Sequence, residues 1–295
     1  MTAAGGYAES SNNLIFFEAN LHLSYCGFVV TPDEVNSSER KFARMRRTQR
    51  AAGDDLDPIT IPVHFHVIAA NETMEGGWVH DSQLQLSIDI LNRDYATAMI
   101  TWELAEITRT INEEWFTSAN IWPQAQIDLA QEMKSELRAG DEGDLNVYTV
   151  GFVKEAKEVE GLLGVATFPS NYTETPMEDG IMMKYSTLPG GVNPTYNRGF
   201  VLTHEAGHWV GLYHTFQGGC EGDGDLVDDT PAQGGPSRVT FQGGCVPTDT
   251  CENLPGVDLI SNFMDYSEEL CKSTTFTDGQ IRRMRDELSA FRGYD

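Results

Sequence analysis

His204-Glu205-Ala206-Gly207-His208-Trp209-Val210-Gly211-Leu212-Tyr213-His214 is the stretch whose reading decides the fold. Helical residues 200 to 210 would place His204 and His208 one turn apart on one face, so that both imidazoles converge on a single metal ion. Gly211 can take the positive φ that ends a helix, and the chain then turns to return His214 as a third ligand. Three neutral nitrogens with one open position describe a catalytic zinc site, not a closed structural one. Zinc in such a site lowers the pKa of a coordinated water. Glu205, one residue from the first histidine, is placed to take that water's proton and pass it to a leaving amine. The reaction class is hydrolysis, and the bond a peptide. Apolar Val201, Leu202, Val210 and Leu212 flank the motif, as expected of a helix buried behind an active site.

Ser261-Asn262-Phe263-Met264-Asp265-Tyr266 follows, with its methionine fifty residues beyond His214. Met264 is read as an apolar floor beneath the histidines in a Met-turn, and Tyr266 as a hydroxyl that supports the oxyanion of a tetrahedral intermediate.

With these residues in view the chain resembles the pappalysin family of metzincins, and within it the extracellular fungal metalloproteases. The resemblance is carried by H-E-A-G-H-W-V-G-L-Y-H-T-F, then G-D-G-D-L-V-D-D-T-P-A-Q, N-F-M-D-Y and F-T-D-G-Q-I-R-R-M, with L-L-G-V-A-T-F-P at 162–169 and Y-S-T-L-P-G-G at 185–191. It covers roughly residues 58 to 290. It implies a secreted zinc endopeptidase with an α+β metzincin fold: an upper lobe of mixed twisted sheet with backing and active-site helices (58–211), and an irregular, disulfide-stapled lower lobe with the Met-turn and a C-terminal helix (212–295). A catalytically inert binding protein of the same fold is the alternative, and the retained Glu205 and histidines speak against it. A zinc hydrolase acting on esters is a further rival, separated by offering both kinds of substrate.

At 295 residues the chain is long enough for such a domain plus an appendage. A net charge of −25 and a pI near 4.5 argue against nucleic acid, and no apolar run is long enough to span a membrane. The expected partner is a protein or peptide substrate met by a monomer. Of five cysteines, Cys220, Cys245, Cys251 and Cys271 cluster in the second half and Cys26 stands apart. Without a C-x-x-C pair they read as two disulfides of an oxidising compartment, and their spacing leaves all three connectivities open. The resemblance favours Cys220 with Cys251 and Cys245 with Cys271.

Residues 1 to about 57 read as a pro-segment or N-terminal extension. Six of the twenty basic residues lie between Arg40 and Arg50, and the dibasic Arg46-Arg47 precedes a flexible Ala51-Ala52-Gly53-Asp54-Asp55. A solvated basic helix against the acidic body is the other reading. The apolar patch Leu14 to Phe17 is too short for a signal-peptide core, so the secretion signal is not identified. Sequons at Asn36, Asn71 and Asn171 suit a secreted glycoprotein. Zymogens that resemble pappalysins carry a Cys-Gly whose thiolate fills the fourth zinc position. Cys26-Gly27 offers one, although Leu23-Ser24-Tyr25 replaces the arginine that usually precedes it.

The remaining elements follow from periodicity. Ile59–Ile68 is a first strand, whose His64 and His66 are better read as satisfied strand histidines than as a second metal site. Asp81–Tyr95 is an amphipathic helix capped by Asp81, with Leu84, Leu86, Ile88, Ile90 and Leu91 inward. Strands are expected at 100–111 and 145–152, a short helix at 128–138, and sheet-edge strands at 161–168 and 180–185 that offer an extended peptide a backbone template. The active-site helix begins near 195–198 and the last helix runs from Gln280 to Phe291. Glu221, Asp223, Asp225, Asp228 and Asp229 crowd nine residues. They form either a solvated loop or a calcium site that the resemblance would place on Asp225 and Thr230.

Overall fold

β-Branched and aromatic residues at every second position of Ile59–Ala69 make strand β1, and the strand is buried along almost its whole length, as a central strand must be. The computed structural model describes residues 25–27, 30–45, 57–237, 239–272 and 276–294. Within them a five-stranded sheet has the order β2-β1-β3-β5-β4, from β2 (Ile100–Ile111), β3 (Leu145–Val150), β4 (Gly164–Ala166) and β5 (Ile181–Lys184). Four strands are parallel, and β4 closes one edge antiparallel to β5. This is the mixed sheet expected from the sequence.

Helices cover both faces. On one side α2 (Asp81–Asp94) and α5 (Phe200–Trp209) join the larger core, which includes Ile61, Val63, Phe65, Leu84, Leu91, Trp102 and Trp209. On the other, α3 (Glu113–Ser118) and α4 (Gln124–Leu137) cover a smaller core of Trp115, Phe116, Met133, Tyr148 and Val150. A long stretch of turns with little regular structure follows α5 and is joined by Cys220–Cys251 and Cys245–Cys271, the pairing the resemblance implied. The last helix, α6 (Asp278–Phe291), is opened by a capping box in which Thr277 accepts from Gln280 N and Gln280 reaches back.

Several expectations shift. Asp81 is the first residue of α2 and not its cap. His80 holds the cap position, and Leu86 is exposed because the inward face runs through Leu84, Ser87, Ile88 and Leu91. Helix α4 starts four residues early, after Pro123, whose fixed φ suits a helix start. The edge strands are shorter than their apolar runs, and β5 starts directly after Gly180, which takes positive φ. His64 bonds Asp144 at 2.9 Å, while His66 bonds Thr108 and Asn146 at 2.8 and 2.9 Å. His66 is a satisfied strand histidine, whereas His64 is satisfied at Nε2 alone and its Nδ1 has no hydrogen bond among the described residues; the partners lie too far along the chain to be seen by spacing.

The N-terminal helix α1 (Pro32–Met45) packs on α6. Its Glu39 meets Arg283 at 2.6 Å, Lys41 pairs with Glu174 at 2.7 Å, and Phe42 is buried 6.4 Å from Phe291 between ring centroids. The Asn36 sequon lies on this helix, where Ser38 touches Ser170. The sequence stretches read as a leader, the dibasic Arg46-Arg47 and the Ala51–Asp55 joint lie outside the described residues.

Candidate active site

Helix α5 begins at Phe200, later than the sequence suggests, because Gly199 at φ 90° turns the chain into it and offers no side-chain cap. The cap comes from elsewhere. Glu269 Oε2 accepts from Asn197 N and Arg198 N, both at 2.8 Å, and its Oε1 accepts from Phe200 N at 2.9 Å. A carboxylate at a helix N-terminus satisfies orphan donors and complements the dipole. Glu269 is buried, and burial lifts its carboxyl above the usual range while the three N–H donors oppose the rise. The far end of α5 is fixed by Asp179, which accepts from Trp209 Nε1 at 3.1 Å and pairs with buried Arg292 at 2.8 Å. Burial would raise the Asp179 carboxyl, but the Arg292 guanidinium holds it below the ordinary range. On its flank, Thr203 donates to Asp94 at 2.7 Å.

This scaffold brings the three histidines together. Nε2 of His208 lies 3.2 Å from that of His204 and 3.0 Å from that of His214, and the third separation is 3.3 Å. His204 Nδ1 donates to Phe263 O at 2.6 Å and His208 Nδ1 to Leu212 O at 2.7 Å. Those bonds fix the tautomers of His204 and His208 and leave both of their Nε2 atoms as acceptors, so the contact between these two is a pair of facing lone pairs and not a hydrogen bond. Burial lowers the pKa of all three imidazoles, that of His208 to about 3. Neutral nitrogens aimed at one point are what a cation needs. Cys26 Sγ joins them, with the four donor atoms within 4.8 Å of one another. Three imidazoles and a thiol form the donor set of a tetrahedral zinc centre, and the residues present fit that ion.

Glu205 stands beside the cluster, fully buried, and burial pushes its carboxyl up to about 8. Its Oε2 is 3.4 Å from Cys26 Sγ, and its Oε1 is buried without a partner among the described residues. Gly211 at φ 101° makes the turn that returns His214. A Cβ on Gly207 would lie 2.4 Å from Met264 Sδ, so Met264 packs directly on α5 at the glycine between His204 and His208. Tyr266 leans over the cluster, its ring 4.8 Å from His214, and its hydroxyl donates to Cys26 O at 3.2 Å. Asp225 and Thr230 are also together: Thr230 Oγ1 donates to Asp225 Oδ1 at 2.5 Å, and burial raises the Asp225 carboxyl to about 7. Asp229 turns instead to α6, accepting from Thr277 Oγ1 and Gly279 N.

Residues 139–289 match the model of a peptidase family described as pregnancy-associated plasma protein-A. The chain belongs to that family. It is 41% identical over 240 residues to an extracellular metalloprotease of Colletotrichum graminicola, covering 79% of this chain and 78% of the relative. It is 40% identical over 271 residues to extracellular metalloprotease 1 of Coccidioides posadasii, covering 90% of both. Among solved structures, a promirolysin mutant from Tannerella forsythia superposes with a TM-score of 0.68 at 26% identity, covering 90% of this chain and 95% of that one. Mature mirolysin in complex with a cleaved peptide gives 0.59 at 28% identity, covering 78% and 92%. The pappalysin-family chain is thus a metalloendopeptidase of the metzincin fold, and its family implies a bound metal.

Sequence reasoning missed three side chains that shape this site: Glu269, Lys272 and Tyr25. Lys272 is half-buried and donates to the carbonyls of Asn262, Phe263 and Asp265 at 3.2, 3.4 and 2.6 Å, which ties down the loop carrying Met264. Burial lowers its pKa to about 8. No local pattern marks these residues, since the partners of Glu269 and Lys272 are backbone atoms and the rings that meet Tyr25 are distant in sequence.

Proposed function

We propose that this chain is a secreted zinc endopeptidase held latent by its own N-terminal segment. The observation that carries the reading is the convergence of three imidazole Nε2 atoms beside a buried carboxylate. His204, His208 and His214 hold the zinc, with residues 58–295 as the catalytic domain acting as a monomer. Bound zinc supplies Lewis acidity, which polarises the scissile carbonyl and acidifies water. Glu205 takes the proton from the attacking water and carries it to the leaving amine. Tyr266, freed of the Cys26 carbonyl, turns its hydroxyl to the oxyanion. Met264 keeps the histidines' floor dry and apolar.

Residues 1 to about 57 form the pro-segment. Cys26 supplies a thiolate as fourth ligand in the latent chain, which its place within 4.8 Å of the histidine nitrogens supports. Secretion is supported by the names of the relatives and by the two disulfides. The Asn36, Asn71 and Asn171 sequons are then open to glycosylation. Asp225 and Thr230 contribute to a calcium site, supported by the buried carboxylate in an acid-rich loop.

The test compares cleavage of casein and quenched peptides by the processed chain with that by Glu205→Ala, each with and without a zinc chelator, alongside metal analysis. Activity lost in both arms, with one zinc retained in Glu205→Ala, is the expected result. A chelator-insensitive protease, or zinc bound without any cleavage, would overturn it.

A further inference from the structure

The segment that covers the site does more than bring a thiol. Tyr25-Cys26-Gly27 lies along the free edge of β4: Leu163 N and Gly164 N donate to Tyr25 O at 2.9 and 3.3 Å, and Gly27 N donates to Gly164 O at 2.9 Å. This is the edge on which an extended peptide would dock. With Cys26 at the histidines, the neighbouring side chain drops into a pocket beside them. Tyr25 is 1% exposed there. Its ring stacks on Tyr266 at 4.9 Å and meets Tyr196 and His204 edge-on at 5.0 and 5.2 Å. Lys272 Nζ stands 5.7 Å from the ring centroid.

We propose that the pocket filled by Tyr25 is the subsite that sets substrate choice, that it takes an aromatic side chain flanking the scissile bond, and that Lys272 closes it to basic side chains. This rests on the endopeptidase reading above. The chemistry is that of the walls. Two tyrosine rings at stacking and edge-on distance suit a third aromatic ring. The ammonium faces that ring, a contact favourable to a π-face and repulsive to a guanidinium or a second ammonium. Three carboxylates face the ammonium or the ring, and each is already engaged: Glu269 by the three N–H groups that open α5, Asp265 by Gln233, Ser237 N and Ser267 N, and Glu205 by the Cys26 thiol. The Tyr25 hydroxyl is buried with no partner among the described residues, so the pocket discriminates on the ring and not on the oxygen. Phenylalanine should therefore serve as well as tyrosine or better.

Two readouts test this, one on processed and one on unprocessed chain. The first uses chain processed between Arg46 and Arg50, with quenched peptides differing only in the residues flanking the scissile bond. At one flanking position Phe and Tyr should exceed Ala and Arg by at least tenfold in kcat/KM, and Lys272→Met should raise the ratio of Arg to Phe cleavage by severalfold, whatever it does to the overall rate. Cleavage with no aromatic preference, or with a basic one, overturns the subsite and leaves the endopeptidase reading standing. The second needs no catalysis: the rate at which a thiol reagent modifies Cys26 in the unprocessed chain. Tyr25→Phe should match or slow the parent rate, and Tyr25→Ala and Tyr25→Arg should raise it tenfold or more. Equal rates across the four proteins would sink the proposal. If no peptide is cleaved, the endopeptidase reading fails and the thiol rates alone decide whether the pocket selects aromatic rings.

Discussion

Replacing Glu269 with alanine should loosen the catalytic helix from its start. The carboxylate accepts three backbone N–H groups at 2.8, 2.8 and 2.9 Å, and no side chain at Gly199 can substitute. Orphaning a buried donor costs about 1–3 kcal/mol. Phe200 N is fully buried and bears the larger share, while Asn197 N and Arg198 N are only partly buried and regain water. Relief of the carboxylate's own desolvation returns about 1 kcal/mol, leaving a net loss of about 2–4 kcal/mol. A chain of 295 residues unfolds with about 0.6 kcal/mol/K of entropy, so Tm should fall by about 3–6 °C. Glu269→Gln should lie between parent and alanine, because its amide nitrogen would face one donor while its oxygen keeps the others. Calorimetry on the three proteins at pH 7, metal-loaded, reads this directly. Shifts under 1 °C for both variants would show that the cross-chain cap contributes nothing.

Three further outcomes follow from the same structure. Glu205→Gln should keep its fold and metal content yet lose at least about a thousandfold in kcat, and a stopped assay showing less than tenfold loss would remove Glu205 from proton transfer. Cys245→Ser opens a closure spanning 26 residues and should cost about 3–4 kcal/mol in denaturant unfolding; an unchanged midpoint would mean the loop is held by other contacts. Lys134 is buried and its pKa is lowered to about 8, mainly by burial. The folded state therefore binds fewer protons than the unfolded between pH 8 and 10.5, and its contribution to stability rises with pH across that window and is flat below it. Lys134→Met should flatten the rise between pH 8 and 9.5, and an identical slope in parent and variant would refute the assignment.

The central site was legible because its chemistry is written within eleven consecutive residues, whose helical period alone puts His204 over His208. The sheet was legible too, since β1 and β2 carry long, regular patterns. What escaped was set by contacts between distant residues. Asp144 reaches His64 across 80 positions and Glu269 reaches Phe200 across 69, and neither separation has a period to detect. The start of α5 was placed too early because nothing before Gly199 signals that the chain must first wrap around a foreign carboxylate. The disulfide pairing came from the family resemblance, as spacing alone left three options.

The N-terminal segment is held at two separate places, by backbone pairing at β4 and by α1, whose Glu39 reaches buried Arg283. On the pro-segment reading, a cut near Arg47 severs the covalent tether and neither attachment. What changes is concentration: a tethered segment faces its site at an effective millimolar level, and a severed one faces it at the level of the surrounding fluid. Cleavage and activation then become two events separated by dissociation. In a crowded secretory vesicle the cut enzyme would stay capped, and dilution on leaving the cell would uncap it, so the volume into which it is released acts as the timer.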